Sequence, residues 1–250
     1  MAERKQTALV TGASAGLGVE YCRQLAQRCE VIIAVARRSD RLQVLAQELS
    51  GVCEVHCIEA DLTTVEGVTL AVEALRQKGP VDYLVNNAGF APLGQFVETP
   101  LHEQRDMLNL HCEATMTLCR AAIPFMSELG GGSIINVSSL GALVPSKGLA
   151  VYGATKAFLN YFSQALQAEV VADGIEVQAL CPGYIRTEFH DEMVSGGFER
   201  ERIPAEMWMD PDAVVESSLS ALGTGRVVVV PGEGNAELAR AALASQLADY

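Results

Sequence analysis

The sequence has no long hydrophobic run. Its longest aliphatic runs, such as Val31–Ala36, are far shorter than the roughly 18 residues that a membrane-spanning helix needs. The first residues, MAERKQTALV, are charged and lead directly into an apolar segment, without the hydrophobic stretch and cleavage site of a secretory signal. We therefore expect a cytoplasmic protein without a membrane span.

The sequence also has few basic residues. It contains 18 Lys and Arg against 31 Asp and Glu, which gives a formal net charge of −13. A surface of this charge repels nucleic-acid phosphates and anionic lipid headgroups. Nucleic acid is therefore not an expected partner, and an anionic ligand would have to be held by local features that outweigh the global field.

No Cys-x-x-Cys pair occurs among the 7 cysteines. Metal sites usually need such paired spacing, and disulfide frameworks are typical of small secreted domains. We expect no metal site, and we expect the cysteines to be small buried side chains in a reducing compartment.

Short apolar runs alternate with longer segments of helical period along the 250 residues. The predicted strands cover residues 7–10, 31–36, 53–58, 81–85, 133–137, 175–180 and 227–230, and the predicted helices lie near 16–28, 39–50, 64–77, 100–127, 149–172 and 211–222. The strands are apolar throughout rather than alternating, as in a parallel sheet that helices cover on both faces. The sequence therefore predicts an α/β fold with a doubly wound, Rossmann-type, mostly parallel seven-stranded sheet in three α/β/α layers.

We expect a single domain, because α/β chains of this length often share one core. Residues 184–210 show neither a strand nor a helix period, and a stretch of this length predicts a substrate lid. Residues 234–248 predict an additional amphipathic helix, which must bury an apolar face and often covers a subunit contact.

A glycine-rich segment follows the first predicted strand and opens the first helix. It reads TGASAGLG from Thr11 to Gly18, with glycines at positions 12, 16 and 18. Glycines let a pyrophosphate approach the backbone, and a helix N-terminus supplies free N–H groups and positive potential. The strand–turn–helix context favours a dinucleotide phosphate loop over an ordinary glycine-rich turn.

The end of the second strand bears on the choice of cofactor. Dinucleotide folds that bind NAD usually place an acid here for the ribose 2′-hydroxyl, but this sequence has Ala36 followed by Arg37. A guanidinium suits a 2′-phosphate through charge-assisted hydrogen bonds, which favours NADP(H) over NAD(H). The alternative is that Arg37 and Arg38 are both solvated at the start of the next helix, and we assign Arg38 to the surface.

Polar segments follow four further strands at their carboxyl ends. Asp61 and Leu62 follow the third strand, residues 86–89 the fourth, 136–139 the fifth and 181–187 the sixth. Each segment alone could be an ordinary strand-end turn. In an open parallel sheet, however, these ends form one edge, outside which ligands bind, and their convergence predicts a cofactor cleft there.

Tyr152 and Lys156 lie four residues apart in a predicted helix, which places them one above the other on one face. They could be two amphipathic side chains on a wet helix face, because a Tyr-x-x-x-Lys pair arises by chance in roughly one such chain in ten. The predicted cleft at the strand ends gives the pair a setting and favours a chemical role.

With these motifs in this order and spacing, the chain resembles the short-chain dehydrogenase/reductase family, from about residue 5 to about residue 232. The resemblance implies four catalytic residues, which are Asn109, Ser139, Tyr152 and Lys156. It implies that the coenzyme contacts Gly12, Ser14, Gly16, Leu17, Gly18, Arg37, Asp61, Leu62, Asn87, Ala88, Gly89, Tyr152, Lys156, Pro182, Gly183, Ile185 and Thr187. Many NADP-preferring members have a basic residue where this chain has Ala15.

The resemblance also implies the chemistry. Tyr152 would give a proton in ketone reduction and take it in oxidation, and the charge of Lys156 would favour the phenolate of a group whose ordinary pKa is about 10. Lys156 would also hydrogen-bond the nicotinamide ribose. Ser139 would polarise the substrate oxygen, and Asn109 would hold a water that relays protons to Lys156.

Apolar residues near the expected substrate position predict a bulky apolar carbonyl compound, such as a lipid, steroid-like or aromatic ketone. The candidates are Phe90, Leu140, Phe189, Met193 and Trp208. The alternative is that they pack a long loop onto the core. His102, His111 and His190 lack ligand spacing, so we assign them to the surface or the core.

Other functions remain open at this point. One is a 3-oxoacyl-thioester reductase, and another is a dehydratase, epimerase or lyase of the same fold. From a different class, the chain could be a cofactor-sensing binding protein without turnover. The family commonly forms homodimers or homotetramers through the helices near 100–127 and 149–172, which the sequence permits.

Overall fold

The computed structural model describes residues 6–189, 201 and 203–248. The strands are β1 (Thr7–Thr11), β2 (Val31–Ala36), β3 (Glu54–Glu59), β4 (Tyr83–Asn86), β5 (Gly132–Val137), β6 (Ile175–Leu180), β7 (Tyr184–Ile185), β8 (Trp208–Met209) and β9 (Val228–Val229). The α-helices are α1 (Gly16–Leu25), α2 (Ser39–Leu49), α3 (Val65–Lys78), α4 (Leu101–Leu108), α5 (Thr115–Leu129), α6 (Ala150–Val170), α7 (Pro211–Ala221) and α8 (Glu233–Leu247).

Seven of these strands form one parallel sheet in the order β3-β2-β1-β4-β5-β6-β9. The order reverses at β1, which pairs with β2 on one side and with β4 on the other. All five residues of β1 are buried, which is why this strand is apolar without alternation. The predicted doubly wound seven-stranded sheet is confirmed.

Two hydrophobic clusters, one on each face of the sheet, hold the helices. Ala8 and Val10 of β1 belong to one cluster, together with side chains of α1, α2 and α7. Leu9, which lies between them in the strand, belongs to the other cluster, with side chains of α3, α5 and α6. Because successive strand residues point to opposite faces, the result is the predicted three α/β/α layers.

The long helix predicted near 100–127 is interrupted in the structure. Helix α4 ends at Leu108, a wider π-helical turn covers Asn109–Ala114, and α5 continues from Thr115 to Leu129. Hydrophobic periodicity did not reveal the interruption, because one additional residue in a turn hardly alters the spacing of apolar side chains.

Residues 184–210 begin and end with paired strands, so the prediction of an irregular stretch was wrong at both ends. Strands β7 and β8 form a separate two-stranded parallel sheet, in which Tyr184 lies opposite Trp208. The Arg186 N–H donates to the Met209 carbonyl at 3.0 Å. A two-residue strand is too short to show a period, and residues 190–200 of the predicted lid lie outside the described residues.

Helix α8 packs beside the carboxyl ends of the strands. Near its start, the buried side chain of Asn235 lies against Gly183. A Cβ added to Gly183 would lie 2.4 Å from the Oδ1 atom of Asn235. Near its end, the Gln246 amide donates to the Leu143 carbonyl at 2.9 Å.

None of the helices in the described part of the chain has both the length and the hydropathy of a membrane-spanning segment.

Candidate active site

A cavity of about 460 Å³ opens at the carboxyl ends of the strands, where β1 and β4 meet. Ligands of open parallel sheets bind at such a reversal of strand order. The predicted site residues in its walls are Gly12, Ser14, Gly16, Leu17, Arg37, Asp61, Leu62, Asn87, Ala88, Gly89, Phe90, Ser139, Tyr152, Lys156, Pro182, Gly183, Ile185, Thr187 and Phe189. Segments that are distant in the sequence therefore meet in one cavity.

The turn between β1 and α1 is shaped by glycines. Gly12 and Gly16 have φ angles of +67° and +53°, a region that glycine adopts without steric cost. Among the described residues no side chain caps α1 at Ala15, so its first N–H groups are free to bind an anion. The turn therefore fits a pyrophosphate. Gly18 lies behind the cavity wall instead, where an added Cβ would be 2.1 Å from the Gly12 carbonyl oxygen.

Polar side chains tie the strands together below this turn. The Asn87 amide donates to the Thr11 carbonyl at 2.9 Å, and the Thr11 hydroxyl accepts from the N–H groups of Asn87 and Ala88 at 2.9 and 3.0 Å. The Asn86 amide donates to Asn136 of β5 at 2.8 Å. Asn86, the last residue of β4, and Asn87, which follows it, thus join neighbouring strands and fix the floor of the cavity.

Two arginines follow β2 in the cavity wall, in different settings. Arg37 is exposed, and within the described residues its side chain has no hydrogen bond or ion pair. Arg38 donates to Ser14 Oγ at 3.2 Å and to Glu188 at 3.0 Å. Hydrogen bonds from Arg41 and Arg38 hold the pKa of Glu188 below its ordinary value. The Arg38 side chain is partly exposed, as its assignment to the surface predicts, but it pairs with Glu188, which lies 150 residues away in the sequence and is not connected to it by any local pattern.

Asp61 follows β3 in the cavity wall and shapes its own turn. Its Oδ1 accepts from the N–H and the hydroxyl of Thr63 at 3.0 and 2.8 Å. Leu62, between these two residues, is buried. The strand-end turn that the sequence permitted is therefore present, and the contact of Asp61 with the coenzyme stays a prediction.

Tyr152 and Lys156 share one face of α6 in the cavity wall. The Lys156 Nζ atom lies 5.7 Å from the centroid of the Tyr152 ring and donates to the Val137 carbonyl at 2.8 Å. The Ser139 side chain lies near the Tyr152 phenol and would favour its ionised form by hydrogen bonding. The Ser138 hydroxyl instead donates to the Lys156 carbonyl at 2.8 Å. The geometry therefore favours Ser139 over Ser138 as the partner of the phenol.

Burial sets the protonation of this pair. It raises the pKa of Tyr152 to about 12, against the opposing effect of the Ser139 hydrogen bond. Burial also lowers the pKa of Lys156 to about 8. The expectation that Lys156 lowers the pKa of the phenol is not met in this structure, because burial removes the hydration of the phenolate and raises the pKa instead. The phenol is protonated at neutral pH, which is the state that a proton donor requires.

The depressed pKa of Lys156 predicts a pH dependence of stability. Because this pKa, about 8 in the folded chain, lies below its ordinary value of 10.5, the unfolded chain binds the proton more tightly. The cost of burying the charge is therefore fully present below pH 8 and is lost as the pH rises through 10.5. Relative to a Lys156→Met variant, we expect the wild-type free energy of unfolding to rise by on the order of 3 kcal/mol over this range.

Chemical denaturation of both proteins at several pH values would measure this difference. The Val137 carbonyl loses its partner in the variant at every pH, so this loss does not affect the slope. Lys147→Met, at an exposed position, is the control and should keep the wild-type profile. A constant difference between wild type and Lys156→Met would mean that Lys156 titrates normally.

Asn109 is the first residue of the π turn, and its side chain does not line the described part of the cavity. The Asn109 amide donates to the Thr63 carbonyl at 3.2 Å, whereas the next residue, Leu110, lines the cavity. A π turn displaces backbone carbonyls from their α-helical partners and is frequent at functional sites. The water relay from Asn109 to Lys156 therefore stays a prediction. Because the side-chain amide donates to Thr63, the backbone of Asn109 would have to hold the water.

His111, in the middle of the π turn, is a residue whose place the sequence did not reveal. It is buried, with Nε2 3.3 Å from the Phe90 nitrogen and Nδ1 2.8 Å from the Thr155 hydroxyl. Its partners therefore belong to two segments of the cavity wall. Phe90 and Thr155 are both distant from His111 in the sequence, and a lone histidine in a helical pattern gives no local signal of such contacts.

The residues predicted to contact substrate divide into three groups. Phe90 and Phe189 line the cavity. Leu140 and Trp208 do not line its described part, since the turn that Ser139 caps buries Leu140 and Trp208 packs against Tyr184 with ring centroids 5.5 Å apart; their contact with substrate stays a prediction. The remaining candidate, at position 193, lies outside the described residues.

Comparison with known proteins agrees with this fold. The profile of the short chain dehydrogenase family matches residues 6–196. A short-chain dehydrogenase from Sphingobium yanoikuyae, solved in complex with NADPH, is 31% identical with a TM-score of 0.84, over 98% of this chain and 96% of that one. The bulky-bulky ketone specific alcohol dehydrogenase from Comamonas testosteroni is 31% identical with a TM-score of 0.80, over 96% of this chain and 94% of that one.

A human relative, inactive hydroxysteroid dehydrogenase-like protein 1, is 37% identical over 186 residues, which are 72% of this chain and 56% of that protein. The family profile covers most of the chain, and the sheet and helices agree with the solved structures over nearly all of it. The chain therefore belongs to the short-chain dehydrogenase family of oxidoreductases, which act on alcohol and carbonyl groups with a nicotinamide cofactor.

Proposed function

We propose that this chain is an NADPH-dependent oxidoreductase that interconverts a bulky apolar ketone or aldehyde with its alcohol. The observation that carries the proposal is the setting of Tyr152. Its protonated phenol lies beside Ser139 in the wall of a cavity that also includes the glycine turn and the rings of Phe90 and Phe189.

The residues of the cavity fit NADPH. The free N–H groups at the start of α1 would hold the pyrophosphate. Within the described residues the Arg37 guanidinium has no other partner, which a 2′-phosphate site needs, and residues 182–187 would hold the nicotinamide carboxamide. The NADPH complex of the Sphingobium yanoikuyae relative supports this assignment. When bound, the reduced nicotinamide supplies a hydride to the carbonyl carbon.

The side chains around the phenol would supply the proton and the polarisation. Tyr152 would donate its phenolic proton to the carbonyl oxygen during reduction and accept it during oxidation. Ser139 would hydrogen-bond the same oxygen and stabilise the negative charge that develops there. Lys156, below the ring, would stabilise the phenolate that remains after proton transfer. Hydride at the carbon and a proton at the oxygen complete the alcohol.

The walls of the cavity near Tyr152 favour an apolar substrate. Phe90, Leu110 and Phe189 line it, and the Phe189 ring lies 6.3 Å from the Tyr152 ring between centroids. The specificity of the Comamonas testosteroni relative for bulky-bulky ketones supports a bulky carbonyl compound. A 3-oxoacyl thioester, also a ketone with an apolar tail, is the alternative substrate within the same reaction class.

The test is NADPH oxidation by the purified chain with a panel of carbonyl compounds. The panel should contain diaryl and aryl-alkyl ketones, steroid ketones, 3-oxoacyl thioesters and, as small controls, acetone and butanone. We expect turnover of the bulky ketones and little turnover of the small ones. Preference for the thioesters would favour the alternative, and turnover of the small ketones alone would contradict the proposal.

A second candidate function is cofactor binding without turnover. The observation that favours it is the relative that is 37% identical and is called inactive. Against it, this chain has the serine, tyrosine and lysine together in the cavity wall. Tight NADPH binding, measured by fluorescence titration, without oxidation of NADPH by any member of the panel would favour this second function.

We expect Arg37→Ala to weaken NADPH binding by about tenfold to a hundredfold and NADH binding by less than about twofold, because only NADPH has the 2′-phosphate. Titration of the variant with both cofactors measures the effect. Arg76→Ala is the matched control: Arg76 is exposed on α3 and does not line the described cavity, so its loss tests the general electrostatic field. Equal losses for NADPH and NADH would contradict the proposed preference.

We also propose that the chain forms a homodimer or homotetramer through α4, α5 and α6. Large apolar side chains are exposed on these helices, among them Leu108, Met116, Phe158 and Tyr161. An exposed apolar face of this kind is typical of a subunit contact. Sedimentation of a monomer at micromolar concentration would contradict this proposal.

A further inference from the structure

The His111 side chain uses both of its ring nitrogens. Its Nε2 accepts from the Phe90 N–H at 3.3 Å, so in a neutral ring the proton must be on Nδ1. Nδ1 then donates to the Thr155 hydroxyl at 2.8 Å, and that hydroxyl donates to the Tyr152 carbonyl at 2.8 Å. One continuous chain of hydrogen bonds thus leads from Phe90 to the backbone of Tyr152.

The ring of His111 also packs between the same two walls. Its centroid lies 5.9 Å from that of Tyr152, at an interplanar angle of 76°, and 6.2 Å from that of Phe90. At Gly89 an added Cβ would be 2.9 Å from Nε2, so the wall lies directly against the imidazole. His111 therefore contacts the loop after β4 and the start of α6 at once.

Protonation would break this arrangement. A second ring proton would remove the acceptor of the Phe90 N–H and would bring a second positive charge close to Lys156. Burial, together with the charge of Lys156, lowers the pKa of His111 well below its ordinary value. The ring is therefore neutral near neutral pH, which is the form that the two hydrogen bonds require.

Simple core packing does not account for these contacts. A leucine would fill much of the same volume, but it would leave the Phe90 N–H without its acceptor and the Thr155 hydroxyl without its donor, and buried polar groups are rarely left so. Thr155 and His111 are each 1% exposed, so water cannot easily replace the missing partner.

We propose that His111 is a positioning residue, which holds the Gly89–Phe90 wall at a fixed distance from Tyr152. This inference rests on the proposed function for its effect on turnover. Phe90 borders the cavity where the substrate is expected, and Tyr152 supplies the proton, so His111 sets the space between substrate wall and proton donor. Loss of the His111 side chain should displace Phe90 relative to Tyr152, while the glycine turn between β1 and α1, which His111 does not contact, should be unchanged.

The first test compares turnover in His111→Leu and His111→Gln. We expect His111→Leu to lower kcat/KM for a bulky ketone on the order of tenfold to a hundredfold, since small misplacements of reacting groups have effects of this size. The NADPH dissociation constant should change by less than about twofold, because the phosphate-binding turn is not contacted. Glutamine has one acceptor and one donor to replace the two nitrogens, so His111→Gln should recover part of the loss. His102→Leu, at an exposed position of α4, is the control.

The second test does not need turnover. Hydrogen exchange of the Phe90 amide should be faster in His111→Leu than in wild type or His102→Leu, and nitrogen NMR should show His111 neutral with its proton on Nδ1. Unchanged exchange at Phe90, a proton on Nε2, or full kcat/KM in His111→Leu would overturn the proposal. If the wild-type chain reduces no ketone but the exchange and NMR results are as expected, the proposed function fails and the positioning of Phe90 by His111 stands.

Discussion

Tyr152→Phe is expected to lower the turnover of any accepted ketone by on the order of 10²- to 10⁴-fold, which is the usual contribution of a positioned proton donor. The variant removes only the hydroxyl. The ring, which is 7% exposed and packs against His111 and Phe189, is retained, so the fold and the NADPH site should be intact. The measurement is NADPH oxidation at saturating ketone, with a parallel titration of NADPH binding.

Tyr161→Phe provides the matched control for this prediction. Tyr161 lies on the same helix but is 78% exposed, so the same change in composition leaves the cavity untouched. We expect this control to keep wild-type turnover and wild-type NADPH affinity. Turnover that persists in Tyr152→Phe would falsify the assignment of the proton donor, whereas joint loss of turnover and NADPH binding would show that the hydroxyl serves binding instead.

Gly18→Ala is expected to abolish tight NADPH binding and to lower the free energy of unfolding by about 3 kcal/mol, as an overpacked core does. A Cβ at this position would lie 2.1 Å from the Gly12 carbonyl oxygen and 2.7 Å from Asn87 Nδ2. Neither atom can move freely, since Asn87 is tied to Thr11 and the Gly12 backbone forms the phosphate-binding turn. The turn would have to open, and its N–H groups would lose their common direction.

Denaturant titration and NADPH titration of the variant would measure both effects. Gly51→Ala is the control, because an added Cβ there meets no atom within 4 Å. We expect the control to be neutral or slightly stabilising, since alanine lowers the entropy of the unfolded chain. Wild-type affinity in Gly18→Ala would mean that the turn tolerates the shift and that Gly18 has no part in cofactor binding.

The sheet was predictable from the sequence because its strands are buried on both faces. Such strands, like β2, are continuous apolar runs, and the observed bounds of β2 match the predicted ones. Strands β7 and β8 were not predicted, because each has two residues and owes its existence to a partner 24 residues away in the sequence. The π turn was missed for a related reason, since it changes backbone hydrogen bonds and not the apolar pattern.

The cavity was predictable from short motifs at the strand ends, because parallel strands bring those ends together whatever lies between them. The contacts between side chains were not predictable in the same way. The bonds of Arg38 to Glu188 and of His111 to Phe90 join segments whose approach depends on the packing of loops. The direction of the Tyr152 pKa was also missed, because helical spacing reveals a neighbouring lysine but not the loss of hydration.

The pairing of β7 with β8 has a consequence for engineering substrate range. The two strands join the ends of residues 184–210, so the chain leaves and re-enters the fold at nearly one point, beside Ile185 in the cavity wall. Once the ends of a connection are held together, a doubling of its length costs only about 0.6 kcal/mol. The part of this connection after Phe189 can therefore be exchanged between relatives while the cavity residues up to Phe189, the glycine turn and Tyr152 stay in place.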